Sequence, residues 1–137
     1  MPSKRAVEKA RADMRGGKRP TTAAGEFVRE EIEHVRHGKH GARSAKQAIA
    51  IGLSKARKAG VPLPPPRKGT TSERTRRSAA REYAVGQGKR RARPASPKQR
   101  AAATRALKRE PRSTVSKSAL SKQARQASRR KRRASAS

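Results

Sequence analysis

The sequence predicts an all-α protein: a small helical hairpin at about residues 22–37 and 45–59, with a short N-terminal helix and a long, largely disordered basic C-terminal tail with transient helices. Three observations support this prediction. Large apolar side chains are concentrated between residues 22 and 63 and recur at the spacing of a helix face. Capping motifs and glycines bracket these apolar stretches. Beyond residue 67, Lys and Arg dominate and few large apolar side chains remain.

The second hairpin helix has the clearest start and end in the chain. Ser44 and Gln47 form a Ser-x-x-Gln capping box, in which the Ser hydroxyl and the Gln amide satisfy free backbone N–H groups. Gly60 follows the last apolar residue, at the position where a left-handed residue commonly ends a helix. The apolar stripe between these signals consists of Ala48, Ile49, Gly52, Leu53, Ala56 and Ala59.

The first hairpin helix combines an apolar face with a concentration of acids. Thr21 or Thr22 is the predicted N-cap, and Gly38 is the predicted stop. The apolar face consists of Ala24, Phe27, Val28, Ile32 and Val35. Six of the nine acids of the chain precede residue 34. We therefore expect this helix to pack against the second one and to neutralise part of its basic flank.

Composition places the chain among polyanion-binding proteins. Its 137 residues include 39 Lys and Arg against nine Asp and Glu, a formal net charge of +30, and only 31% are hydrophobic. The absence of Cys excludes a disulfide framework. No apolar run approaches the roughly 18 residues of a membrane span, so no membrane partner is expected. A nucleic acid is the expected partner of so basic a chain.

The chain divides on these criteria into three segments. Residues 1–21 form a basic N-terminal helix and linker, residues 22–66 the hairpin with its Pro-rich end, and residues 67–137 a basic low-complexity tail. Val61 and Leu63, within the Pro-rich end, are expected to fold back on the hairpin.

The tail contains signals for short helices but little to hold them together. A first helix is predicted from the Thr70–Glu73 capping box to about Val85, a second from Ser96 to about Arg109, and a third from Ser116 to about Arg129. Residues 70–137 contain 22 Lys and Arg and three acids. Because these helices have only narrow apolar faces, we expect the helices to form only transiently, when the tail binds a partner.

The predicted nucleic-acid site combines one loop with several basic clusters. Gly38 and Gly41 permit a close approach of the backbone to a phosphate, just before the N-terminus of the second hairpin helix. The flanking and tail cations supply phosphate contacts. The predicted binding residues are Lys39, Arg43, Lys46, Lys55, Arg57, Lys58, Lys89, Arg90, Arg91, Arg93, Arg129, Arg130, Lys131, Arg132 and Arg133.

The sequence does not predict catalysis, a cofactor or a metal site. It has one Asp, no Cys, no phosphate-loop glycine pattern and no Ser with a plausible His and acid. His34, His37 and His40 are regularly spaced, but Arg36 and Lys39 lie among them and would repel a cation. The protein is therefore expected not to be an enzyme, and its binding residues are expected to act by charge alone.

Two segments resemble a known family. The stretch Ala24–Ile32, AGEFVREEI, and the stretch Gly38–Arg57, GKHGARSAKQAIAIGLSKAR, are similar to a family of small basic bacterial proteins of uncharacterised function, covering residues 1–69. Members are sometimes labelled DNA-binding or plasmid-stabilisation proteins. The resemblance implies a bacterial cytosolic setting and supplies no binding residues.

These observations favour a nucleoid-type DNA-binding protein of low sequence specificity, located in the bacterial cytoplasm. With one Phe, one Tyr and no Trp, stacking on single strands is poorly supported. An RNA- or ribosome-associated protein fits the same charge. A third hypothesis is a helical protein-interaction module with a solubilising basic tail, in which Phe27, Ile32, Ile49 and Leu53 form the surface for a homodimer or for another partner.

Overall fold

The computed structural model describes residues 3–91 and 96–136, and the elements it shows in these ranges are helical. They are α1 (Lys4–Arg15), α2 (Pro20–Arg36), α3 (Ala45–Lys58), α4 (Glu73–Gly86), α5 (Pro97–Lys108), a short 3-10 helix (Arg112–Val115) and α6 (Lys117–Ala136). The all-α prediction is confirmed. α2 begins at Pro20, before the predicted threonine caps, because the fixed φ of proline suits the first position of a helix.

The expectation of a long, largely disordered C-terminal tail is wrong. α4, α5 and α6 are all formed, and two of them begin at well-made caps. The Ser72 hydroxyl accepts the backbone N–H of Thr75, so α4 is capped by Ser72 and not by Thr70. Ser96 and Gln99 make both hydrogen bonds of a capping box at the start of α5. The 3-10 helix and α6 need no core of their own, because Val115 is fully buried among residues from the first half of the chain.

The described residues form two compact units, and each is assembled from separate parts of the chain. The first unit contains the described residues of Met1–Glu31 and Ala50–Ala95, and the second those of Ile32–Ile49 and Ser96–Ser137. The division therefore falls within α2 and within α3. The three-segment division of the sequence stays a prediction.

The core of the first unit is built largely from alanines around a single aromatic ring. It comprises Ala6, Ala10, Ala23, Ala24, Phe27, Ala56, Val61 and Leu63. Val61 and Leu63 thus fold back on the helices, as predicted. Small side chains allow close packing, and α3 lies close to the backbone of α2 at Gly52. A Cβ atom there would lie 2.6 Å from the Cα of Val28.

The core of the second unit depends on one residue of the 3-10 helix. Val35, Ala42, Ala48 and Val115 are all completely buried and pack together. The guanidinium of Arg36 donates to the backbone carbonyl of Val115 from Nη2 and Nε, at 3.3 and 3.4 Å. These contacts fix the 3-10 helix, and α6 follows directly and packs against it.

Candidate nucleic-acid interface

α6 contains more Lys and Arg than any other helix of the described residues. This 20-residue helix contains eight Lys and Arg and no acid. At about 100° per residue, Lys122, Arg125, Arg129 and Arg132 lie within one arc of roughly 80°, and we call these four residues the basic face of α6. All four side chains are exposed.

The opposite side of α6 explains why the basic face points to solvent. Ala119, Leu120 and Gln123 are half-buried, and their helical positions are centred roughly opposite to the basic face. None of the four cations of the basic face forms an ion pair with a described residue. Along the helix the face extends about 15 Å, from Lys122 to Arg132.

The loop between α2 and α3 is held by protein contacts within the second unit. The backbone N–H of Gly41 donates to the carbonyl of Leu107 at 2.7 Å, and Gly41 is buried. A Cβ at this position would collide with the backbone carbonyl oxygen of Glu110. Gly41 therefore packs closely against neighbouring backbone, and its N–H is not available to a phosphate.

The cations around this loop are nevertheless exposed. Lys39, Arg43 and Lys46 all have exposed side chains. The N-terminus of α3 is capped by its own side chains: Ser44 Oγ accepts the N–H of Gln47 at 3.1 Å, and Gln47 Oε1 accepts the N–H of Arg43 at 2.6 Å. Phosphate contacts from this region would thus come from the three side chains.

Lys55, a predicted binding residue, has another partner in the structure. Its Nζ lies 2.6 Å from Oε2 of Glu31, a carboxylate whose residue is 1% exposed. A buried carboxylate requires such a partner, so Lys55 neutralises a charge of α2. This pair is an instance of the neutralisation expected between the two hairpin helices.

Arg57, another predicted binding residue, also has protein partners. It is buried, and its guanidinium donates to the carbonyls of Leu63 and Pro64, both at 3.2 Å. Burial lowers the pKa of Arg57, and the carboxylate of Glu82 opposes this shift. Arg57 therefore fastens the Pro-rich segment to the end of α3.

The remaining predicted binding residues lie on the surface. Lys58, Lys89, Arg90 and Arg91 are exposed in the first unit, and Arg129 to Arg133 are exposed in the second. Arg93 lies outside the described residues. Lys122 and Arg125 on α6 were not among the predicted binding residues, although their positions seven and four residues before Arg129 place them on the same helix face. Arg81, which lines a cleft with Lys58, Arg90 and Arg91, was not predicted either.

The histidines and the apolar residues of the hairpin are mainly engaged in local packing. The rings of His34 and His40 meet edge to face, with centroids 6.1 Å apart, whereas His37 is exposed. Phe27 is buried in the first core, and Leu53 packs against it. The homodimer through this apolar face stays a prediction.

Comparison with known proteins finds one family model that is similar to the first part of the chain. Residues 2–68 match the model of DUF6496, a family of unknown function. This range agrees with the extent of the family resemblance seen in the sequence. No curated protein and no solved structure matches the chain significantly.

No helix in the described part of the chain has both the length and the apolar content that crossing a membrane requires.

Proposed function

We propose that this protein is a non-enzymatic DNA-binding protein of the nucleoid type, which contacts the phosphate backbone with little sequence specificity. The observation that carries the proposal is the basic face of α6: four exposed cations on one side of a helix that has no acid. Each phosphate neutralised by such a cation releases bound counterions, which drives binding and makes it sensitive to salt.

Two features favour duplex over single-stranded nucleic acid. Phe27 is 1% exposed and Tyr83 is half-buried, so the one Phe and the one Tyr of the chain present no open stacking platform. Single-strand binders rely on such platforms for about 1–3 kcal/mol per base. A rigid helix with cations along about 15 Å suits the regular phosphate array of a duplex.

Low sequence specificity follows from the same side chains. Phosphate contacts position a protein on DNA without reading its bases, and every residue of the basic face is Lys or Arg. Other exposed cations, including Lys39, Arg43 and Lys46, add to the same sequence-independent attraction. The proposal places the protein on the bacterial nucleoid.

The test is duplex binding by the full chain at several salt concentrations between about 50 and 200 mM. Replacing Arg125, Arg129 and Arg132 by Gln is expected to weaken binding and to reduce the slope of log K against log salt by about 0.9 for each phosphate that is no longer neutralised. The matched control replaces Lys117, Arg130 and Lys131 by Gln. It removes the same charge from the same helix but leaves the basic face intact, so its effect is expected to be smaller.

Three outcomes would contradict the proposal. Equal weakening of binding in the two variants would show that net charge alone acts, without the basic face. Preference for structured RNA over duplex DNA at about 0.2 M salt would replace DNA by RNA as the partner. Failure to bind any polynucleotide at low salt would remove the function altogether.

A further inference from the structure

A basic cleft lies within the first unit, between the end of α3 and the second half of α4. Its volume is about 730 Å³, within the range of roughly 300–1,000 Å³ that small-molecule sites occupy. Lys58 lines it from the last position of α3, and Arg90 and Arg91 line it from the segment after α4.

One face of α4 forms the other side of the cleft. Ser78, Arg81, Glu82 and Val85 are spaced i, i+3, i+4 and i+7, so their side chains share one face of the helix. The hydroxyl of Ser78 and the guanidinium of Arg81 are therefore held on one helix, and they line the same cleft as the three cations of the neighbouring segments.

The charge of the cleft is strongly positive. Its four cations face a single acid, Glu82, whose Oε1 accepts the hydroxyl of Ser54 at 2.7 Å. Neither Lys58 nor the three arginines form an ion pair with any described residue. Gathering four cations around one volume is unfavourable, and a bound anion with several charges relieves that repulsion.

Stabilising the ends of α3 and α4 does not account for this arrangement. Cations often gather at the C-terminus of a helix to satisfy its last carbonyl groups. Here, three carbonyls at the end of each helix already accept hydrogen bonds from backbone N–H groups that follow in the chain. These carbonyls belong to Lys55, Ala56 and Arg57 in α3 and to Tyr83, Ala84 and Val85 in α4.

We propose that this cleft binds a compact anion with two or more adjacent phosphate groups, such as the phosphate chain of a nucleoside triphosphate or an inorganic polyphosphate. Arginines are suited to this ligand because each guanidinium donates paired hydrogen bonds to phosphate oxygens. The hydroxyl of Ser78 supplies a further donor. The proposal does not rest on the basic face of α6, which belongs to the other unit, so either site can fail without the other.

The test is calorimetric titration of the full chain with inorganic tripolyphosphate at about 0.15 M salt, where surface attraction is screened. Replacing Arg81 and Arg90 by Gln is expected to weaken binding about tenfold or more, because the charge-assisted hydrogen bonds of two guanidinium groups are removed. The control replaces Arg77 and Lys89 by Gln, which removes the same charge from α4 and the following turn but changes no residue of the cleft. All four side chains are exposed, so helicity should stay unchanged in both variants.

The contrast between the two variants decides the proposal. It is overturned if both variants weaken binding equally, or if the unmodified protein does not bind tripolyphosphate. A parallel titration with a nucleoside triphosphate separates the two sources of the ligand. Tighter binding of the nucleoside triphosphate than of tripolyphosphate supports a nucleotide site, and equal binding supports recognition of the phosphate chain alone.

Discussion

Gly52 determines how closely α3 approaches α2 in the first unit. The position a Cβ would occupy lies 2.6 Å from the Cα and 2.9 Å from the backbone N of Val28. Both atoms belong to the backbone of a helix, so they cannot yield as the end of a flexible side chain would. This contact between the two helices therefore requires glycine at position 52, because the methyl group of an alanine would not fit.

Replacing Gly52 by Ala is expected to lower the free energy of unfolding by about 1–3 kcal/mol, the usual cost of overpacking. This destabilisation would appear although Ala has the better helix propensity by about 1 kcal/mol. The measurement is denaturant unfolding followed by circular dichroism.

Gly25 provides the matched control for this substitution. It lies in α2, is exposed, and has nothing within 4 Å of the position a Cβ would take. Ala at this site should therefore stabilise the protein by up to about 1 kcal/mol. If both variants gained stability, the close contact at Gly52 would not be a constraint.

The roles of individual cations could be predicted only in part from the sequence. Lys46 and Lys55 both flank the apolar stripe of α3, yet Lys46 is exposed while Lys55 pairs with the buried Glu31. Which cation meets which acid depends on how two helices are rotated against each other. The burial of Arg57 depends in turn on the path of the chain after α3, which prolines direct but do not fix.

At the scale of the element, the start of α4 is stabilised by a local ion pair. Glu73 occupies the first position after the Ser72 cap, and Arg76 donates to both of its carboxylate oxygens, at 3.0 and 2.8 Å. This bond holds the pKa of Glu73 below its ordinary value and raises that of Arg76. The negative charge also lies at the favourable end of the helix dipole.

Acid should therefore loosen the start of α4. Because the pKa of Glu73 is lowered by folding, its stabilising contribution is present above the ordinary Glu value of about 4.3 and is lost as the pH falls through the folded pKa. Replacing Glu73 by Gln is expected to remove this part of the acid-dependent loss of helicity, measured by circular dichroism during an acid titration.

Glu8 offers a comparison for that experiment, because it is an exposed acid on α1. Replacing Glu8 by Gln removes one carboxylate without touching the start of α4. The interpretation would be contradicted if the acid titration of the Glu73 variant matched that of the unmodified chain.

The elements themselves were predictable because their signals are local. The capping residues Ser44 and Ser96 and the stop at Gly60 are read from three or four neighbouring residues, and all three have the predicted role. Val115 carries no such signal. It is a single apolar residue after a proline, in a four-residue 3-10 helix too short to show periodicity, so its burial and the order of the tail were missed.

At the scale of the whole molecule, the net charge of +30 opposes the compact state. The nine acids of the chain can pair with only a minority of its 39 Lys and Arg. The pairs Lys9–Glu26, Lys18–Asp13 and Arg76–Glu73 are also exposed on at least one partner. Such exposed pairs contribute about 0–1 kcal/mol each. Repulsion among the remaining cations therefore lowers the free energy of unfolding.

Added salt should stabilise the protein. Raising sodium chloride from about 0.01 to 0.1 M shortens the screening length from about 30 to 10 Å, which weakens repulsion between cations more than the short ion pairs. The melting temperature of the full chain is expected to rise over this range. A constant or falling melting temperature would show that self-repulsion does not limit stability.

The burial of Val115 has a consequence for how the protein is made. Its carbonyl accepts from Arg36, a residue 79 positions earlier, and its side chain completes a core with Val35 and Ala42. During synthesis, Val35, Arg36 and Ala42 cannot form their contacts with Val115 until that residue has left the ribosome. A fragment ending with the family-matched range at residue 68 would never receive it, and the second unit would be left open on one side.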